Sequence, residues 1–148
     1  MYDFWQFLHV LSAITWVGAA TLALFLSLRL SAQRDNPVAA PASGLLEKTA
    51  VPLFMAASLG TLITGLILAF GWIGFDPLWI KIGLAGVLVS IVVGFGYFKP
   101  HGEKLGAAME ANGPGDPKVQ VMVRQAQIVS LVELVIFAVV VWAMVTKP

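Results

Sequence analysis

Residues 4–28 read FWQFLHVLSAITWVGAATLALFLSL, an apolar run without a single Asp, Glu, Lys or Arg side chain. A helix needs about 20 predominantly apolar residues to cross the hydrocarbon core of a bilayer, and this run is longer. It therefore predicts a transmembrane helix. We expect this helix to be retained rather than cleaved, because no basic segment precedes it and the apolar run is too long for a signal peptide.

Three further apolar runs follow. Residues 49–75 carry no charged side chain, residues 77–98 carry only Lys81, and residues 125–146 carry only Glu133. Each run is long enough to cross a bilayer, and the connections are too short for a separate soluble domain. We predict an all-α fold, an integral membrane four-helix bundle that forms one domain over residues 1–148. The predicted helices cover about residues 4–30, 49–73, 77–99 and 117–146.

The composition agrees with a membrane protein. Hydrophobic residues make up 59% of the chain, charged residues 11%, and the mean hydropathy is +0.88, whereas soluble domains contain about 25% charged residues. The net charge is only +1 and the basic residues are scattered, so we expect membrane lipid and not nucleic acid as the partner. The absence of Cys excludes disulfides, Cys metal sites and covalently attached haem.

The positions of the basic residues predict the orientation. Most of the nine Lys and Arg residues lie in or beside the first and third connections. Because cytoplasmic loops are enriched in basic residues, we expect these connections in the cytoplasm and both termini outside. The segments SAQRDNPVAAPASG and EANGPGDP are typical of loops, and His101 is expected to be solvated in the third connection. Asp76 and Asp116 each precede a Pro and are predicted N-caps.

His9 and Lys81 are candidate functional residues, because ionisable side chains inside a bilayer are costly and usually face protein. Each lies near the outer start of its helix, and the rise of 1.5 Å per residue places both roughly 6 to 8 Å below the outer boundary. At a shared depth they could ligate the two sides of a haem iron, or one could ligate while the other pairs with a propionate. The alternative is a hydrogen bond from His9 to a neighbouring hydroxyl and a Lys81 side chain that extends to the surface beside Trp79.

Two further patterns concern helix packing. His9, Ala13, Trp16 and Ala20 follow helical spacing and share one face, where the small residues beside Trp16 leave space for a flat ligand. Small residues also recur at helical spacing in the second and third helices, and such faces let helices approach closely. They comprise Gly60 and Thr64, and Gly86, Ser90 and Gly94. Ordinary helix packing explains all of these patterns equally well.

Glu133 lies near mid-membrane, roughly 20 Å from the outer end of its helix. Gln127 and Ser130 share its side of the helix, so this side is expected to face the bundle or a second copy of the chain. At that depth we expect a neutral carboxylic acid that donates to Thr61 or another hydroxyl. A step in a proton path is the alternative role.

The run LHVLSAITWVGAA, with LFLSLRL after it, contains an H-x6-W-x-G pattern. It resembles the first helix of small bacterial membrane proteins in the copper-resistance-D and J-type protoporphyrinogen oxidase group. The run WIKIGLAGVLVSIVVGFGYF, which begins at Trp79, is similar to the helix of that oxidase in which a lysine follows a tryptophan. The resemblance implies b-type haem binding by His9 and Lys81. The whole chain also resembles an uncharacterised family of predicted four-helix membrane proteins.

Three functional hypotheses follow. The first is a membrane protein with noncovalent haem b, for electron transfer or diatomic gas binding, in the bacterial inner (plasma) membrane. Its predicted site comprises His9 as iron ligand, Lys81 as sixth ligand, and Trp16, Ala13 and Trp79. The second is a protoporphyrinogen oxidase-like enzyme of haem synthesis. The third is a non-catalytic or metal-transport accessory protein, for which copper is disfavoured by the lack of Cys. A homodimer, a quinone and a gas are the candidate partners.

Overall fold

The computed structural model describes the backbone of residues 1–32 and 39–148, and the side chains of residues 1–32, 49 and 52–148. All regular structure within these residues is helical. Helix α1 is Tyr2–Ala32, and α2 is Ala39–Leu68 with a π-helical continuation, Ala69–Ile73. Helix α3 is Leu78–Val93, which continues through the π-helical segment Gly94–Phe98 into α4, Lys99–Asn112. Helix α5 is Pro117–Thr146.

The prediction of four membrane-spanning helices is confirmed by length and composition. The apolar helical spans are Tyr2–Ala32, Pro52–Ile73, Leu78–Asn112 and Pro117–Thr146. Helix α2 begins at Ala39, earlier than predicted, so the part of SAQRDNPVAAPASG from residue 39 onward is helical and not loop. Residues 33–38 of that segment lie outside the described residues.

The prediction that the third helix ends near residue 99 was wrong, because α4 carries it on to Asn112. Ala, Glu and Lys are frequent in α4, and all are good helix formers in water. Pro100 does not stop the helix. A proline ring clashes with the carbonyl four residues earlier in a regular helix, and here the wider π-helical segment Gly94–Phe98 ends two residues before Pro100.

The helix ends show which capping predictions hold. The Asp116 side chain accepts hydrogen bonds from the backbone N–H groups of Lys118 at 2.8 Å and Val119 at 3.4 Å, which confirms the predicted N-cap of α5. Asp76 does not cap α3, since Pro77 occupies the N-cap position and no side chain bonds there. Gly74 and Gly113 end their helices with φ of 81° and 79°, a conformation that residues with a Cβ rarely adopt.

The helices pack as two close pairs, α1 with α2 and α3 with α5, and α1 also packs against α5. Glycines make the close approach within each pair. A Cβ at Gly60 of α2 would lie 2.8 Å from Ser12 Oγ of α1. A Cβ at Gly83 or Gly86 of α3 would collide with Met144 or Val140 of α5. The predicted small-residue faces at Gly60 and Gly86 are therefore helix contacts.

A small aromatic core joins the two pairs. The Trp16 ring of α1 is 4% exposed, and its centroid lies 4.6 Å from that of Phe137 on α5 and 5.9 Å from that of Phe54 on α2. Ala57 and Val87 complete the buried cluster. Large apolar side chains cover much of the remaining surface, with Ile14 and Val92 more than half exposed. Such a surface suits contact with lipid chains.

Candidate functional site

The imidazole of His9 bridges α1 and α2 near the N-terminal end of α1. His9 Nδ1 lies 3.0 Å from the carbonyl oxygen of Thr61 and 3.1 Å from Thr64 Oγ1. A carbonyl oxygen only accepts hydrogen bonds, so Nδ1 carries the proton and donates it. The Thr64 hydroxyl donates to the Gly60 carbonyl at 2.6 Å, which leaves its oxygen free to accept from Nδ1 as well. The interpretation of His9 as a hydrogen-bonding partner of a neighbouring helix is thus confirmed.

This hydrogen bond defines the chemistry of the other ring nitrogen. In a neutral imidazole with a protonated Nδ1, the lone pair is on Nε2. Within the residues that the structure describes, Nε2 has no hydrogen-bond partner. Histidines that ligate metals usually donate their second ring N–H to a backbone carbonyl or carboxylate, which fixes the ring and raises the basicity of the ligating nitrogen. In the same way, the Nδ1–H of His9 donates to the backbone carbonyl of Thr61.

Gly65 explains how the ring approaches α2 closely. A Cβ at Gly65 would be 3.0 Å from His9 Cε1 and 3.4 Å from Nδ1, closer than ordinary van der Waals contact. Sequence reasoning did not connect Thr61, Thr64 and Gly65 with His9. The signal available was the run TLITG, residues 61–65, which places two hydroxyls and a glycine on one face of an otherwise apolar helix.

Trp16 and Ala13 share the inward face of α1 with His9. Trp16 is packed between Phe54 and Phe137, so its own neighbours fill the interior beside it. Ala13 is half-buried. An open groove of about 500 Å³ lies on α2 and its π-helical continuation, and His9 does not line it. Its walls are Ile63, Leu66, Ile67, Phe70, Gly71 and Trp72.

Lys81 and Trp79 lie on α3, whose main packing partner is α5 and not α1. Lys81 is exposed. Trp79 lies beside the C-terminal end of α5, where the Lys147 Nζ is 5.6 Å from its ring centroid. The structure therefore places the predicted pair of ligands on different helix pairs.

The residues around His9 fit one requirement of a haem iron, a single fixed imidazole with a free ring nitrogen. Haem needs no more than one or two protein ligands. No cluster of three or more His, Asp or Glu side chains that could hold a metal ion exists among the described residues.

Glu133 is buried between α5 and α3, with 5% of its surface exposed. The Ser90 hydroxyl of α3 lies within interaction distance of its carboxyl, yet neither Glu133 Oε1 nor Ser90 Oγ has a hydrogen-bond partner in the described part of the chain. Thr61, the predicted partner of Glu133, instead donates its hydroxyl to the Ala57 carbonyl at 2.8 Å. Glu133 thus faces the bundle interior as predicted, but toward a different helix.

The rest of the polar side of α5 lies nearer its N-terminal end. The Gln127 amide donates to Ser27 Oγ at 3.2 Å and to Ser31 Oγ at 3.1 Å, which ties α5 to α1. The prediction that His101 is solvated in a loop was wrong. His101 lies in α4, where its Nε2 donates to the Met122 carbonyl of α5 at 2.9 Å and its ring stacks on Tyr97 at 4.8 Å.

Four long apolar helices with buried polar side chains define an integral membrane protein of the helical-bundle class. Residues 4–148 match the family of predicted integral membrane proteins DUF2269, and the chain belongs to that family. No curated protein and no solved structure matches the chain. The predicted membership of an uncharacterised membrane family is therefore confirmed.

Proposed function

We propose that this chain is an integral membrane haem-binding protein that holds haem b noncovalently through His9 and serves electron transfer or diatomic gas binding. The observation that carries the proposal is the 3.0 Å hydrogen bond from His9 Nδ1 to the Thr61 carbonyl. It orients the ring and presents the Nε2 lone pair as a ligand. His9 is half-buried, and ionisable side chains within membrane-spanning helices are rare and commonly functional.

The resemblance of the first helix to a haem-binding helix supports the same residue. The H-x6-W-x-G pattern begins at His9, near the N-terminal end of α1. A haem with one histidine ligand supplies an iron that takes up an electron or binds a gas at its open position. Thr61 and Thr64 hold the imidazole, and Gly65 gives it room. Because Lys81 is exposed on α3, we assign it no ligand role within one chain.

An absorption spectrum tests the proposal. The protein is purified in mild detergent from haem-replete cells, and the Soret and α bands are recorded in the oxidised, reduced and CO-bound forms. We expect a b-type spectrum that is lost in His9→Ala. His101→Ala is the matched control, because His101 is the other histidine of the chain and also donates to a carbonyl of a neighbouring helix. It should keep the spectrum unchanged.

A wild-type protein that is colourless as purified and does not bind added haemin would overturn the proposal. Full haem retention in His9→Ala would remove His9 as the ligand. If haem is present, CO binding to the reduced protein supports an open iron position, whereas its absence supports a second axial ligand and electron transfer. Growth rescue of a strain without protoporphyrinogen oxidase would assign the enzymatic alternative instead.

A further inference from the structure

Three polar atoms are buried without a partner on the side of the bundle where α3 faces α5. Within the described residues, Ser90 Oγ, Glu133 Oε1 and the Tyr97 hydroxyl have no hydrogen bond. Ser90 and Glu133 are 2% and 5% exposed, so solvent at the surface cannot satisfy them. A buried polar group without a hydrogen bond costs roughly 1–3 kcal/mol, and internal water is the usual means by which proteins avoid this cost.

The contacts between α3, α4 and α5 define the order of these residues along the bundle. The helices run antiparallel, and Gly86 meets Val140, Ser90 lies near Glu133, and His101 bonds to Met122. Residue numbers that increase along α3 and α4 therefore face residue numbers that decrease along α5. Gly94 and Tyr97 therefore fall between the Ser90–Glu133 level and the His101–Met122 level.

The space beside the helix differs on the two sides of Ser90. On one side of Ser90, a Cβ at Gly83 or Gly86 would collide with Met144 or Val140, so the interface is closed. On the other side, a Cβ at Gly94 would meet nothing within 4 Å beyond its own helix and its chain neighbours. Gly94 shares the face of Gly86 and Ser90, because the three are spaced four residues apart. Gly94 therefore has open space beside it, whereas Gly83 and Gly86 are in close contact with α5.

The backbone widens at the same place. Gly94–Phe98 is π-helical, and the Lys99 N–H bonds to the Gly94 carbonyl five residues earlier. Single π-helical turns occur frequently at functional sites in membrane and soluble helices. The Tyr97 ring lies in this segment and stacks on His101, which lies in α4.

We propose that internal water lies where α5 packs against α3 and the helix that continues it. This water connects Glu133 and Ser90 with the aqueous phase at the α4 end of the bundle. Glu133 therefore exchanges its proton with that phase. Ser90 Oγ, Glu133 Oε1 and the Tyr97 hydroxyl are the polar partners that such water requires. The close packing at Gly83 and Gly86 closes the path on the other side. This proposal does not depend on the binding of haem.

Cysteine accessibility tests the path directly, because the chain contains no Cys. Ser90→Cys and Gly94→Cys are made singly in the full chain and treated in native membranes with aminoethyl methanethiosulfonate. Val92→Cys is the matched control, since Val92 lies at the same depth and is 69% exposed on the lipid side. Thiolates react only where water reaches them, so we expect Ser90→Cys and Gly94→Cys to react about tenfold faster than the control.

The direction of access is tested with the membrane-impermeant trimethylammonium reagent in sealed vesicles of both orientations. Reaction of Gly94→Cys should occur only in the orientation in which the exposed Glu103→Cys of α4 also reacts. Reaction from the opposite side, or equal rates for Ser90→Cys and Val92→Cys, would overturn the proposal.

Infrared spectroscopy provides a measurement on Glu133 itself and needs no change at Ser90. The C=O stretching band of the Glu133 carboxylic acid is assigned from the difference between the wild-type and Glu133→Gln spectra. It should shift within minutes of transfer to D2O, because the carboxyl proton is replaced by deuterium. A band that stays unshifted while amide groups at the helix ends exchange would show that water does not reach Glu133, and the proposal would fail.

Discussion

The Nδ1 atom of His9 lies 3.0 Å from the carbonyl oxygen of Thr61, so the imidazole joins α1 to α2. The ring fits there because Gly65 offers no side chain at the point of contact. Both a structural role and a ligand role for His9 depend on this geometry. The substitutions below test the geometry separately from the binding of haem.

We expect Gly65→Leu to displace the His9 ring from α2, because even a Cβ would lie 3.0 Å from Cε1. The loss should be about 1–3 kcal/mol, typical of overpacking. It is measured by unfolding in mixed detergent micelles. Gly71→Leu is the control, since a Cβ there would meet nothing within 4 Å. Equal stability of the two variants would contradict the contact.

Trp16→Ala should cost about 3–5 kcal/mol, because it removes a buried aromatic ring and leaves a cavity. Trp16 contacts aromatic rings of both α2 and α5, so its loss weakens the junction of the two helix pairs. Trp142→Ala, at a position 58% exposed on α5, should cost much less. The two free energies of unfolding are compared in the same detergent, and a similar loss for both would argue against the aromatic core.

Gly86→Leu should separate α3 from α5, because the new side chain would collide with Val140. We expect a loss of about 1–3 kcal/mol. Val140→Ala in the same chain should restore part of it, since the two positions are in contact and their effects should not add. Gly96→Leu serves as the control at an open position. Strict additivity of the double variant would show that the two residues do not meet.

Glu133→Gln should fold normally and lose less than about 1 kcal/mol, because an amide has nearly the shape of a neutral carboxylic acid and no charge to bury. Glu133→Gln is compared with Gln127→Glu, which introduces a new acid on the same helix. Chemical denaturation and gel filtration provide the comparison. Failure of Glu133→Gln to fold would indicate that a charged carboxylate is required.

The orientation remains a prediction from the basic residues. Lys104→Cys in α4 should be labelled from the cytoplasmic side, and Lys147→Cys from the outside. Both positions are exposed, so differences in labelling report the side of the membrane and not burial. Labelling of position 104 from outside, with position 147 protected, would invert the topology.

The membrane class, the four spans and the cap at Asp116 could be predicted from the sequence, because they depend on local properties. An uncharged apolar run of sufficient length has a low free energy only inside lipid or protein. An Asp before a Pro at a helix start bonds to the adjacent backbone N–H groups whatever lies around it. His9 and Glu133 stood out for the same reason, since an ionisable side chain in such a run is costly.

Which helices become neighbours was decided by the tertiary structure. Lipid chains are as apolar as a protein interior, so hydrophobic periodicity does not tell which face of a membrane helix meets another helix. Lys81 shares a predicted depth with His9 but lies exposed on a helix that packs against α5. The close contacts at Gly65 and Gly86 involve backbone shape, and Glu133 lies near Ser90 because α3 meets α5 in that register. These relationships depend on residues far apart in the chain, and only the packed helices bring them together.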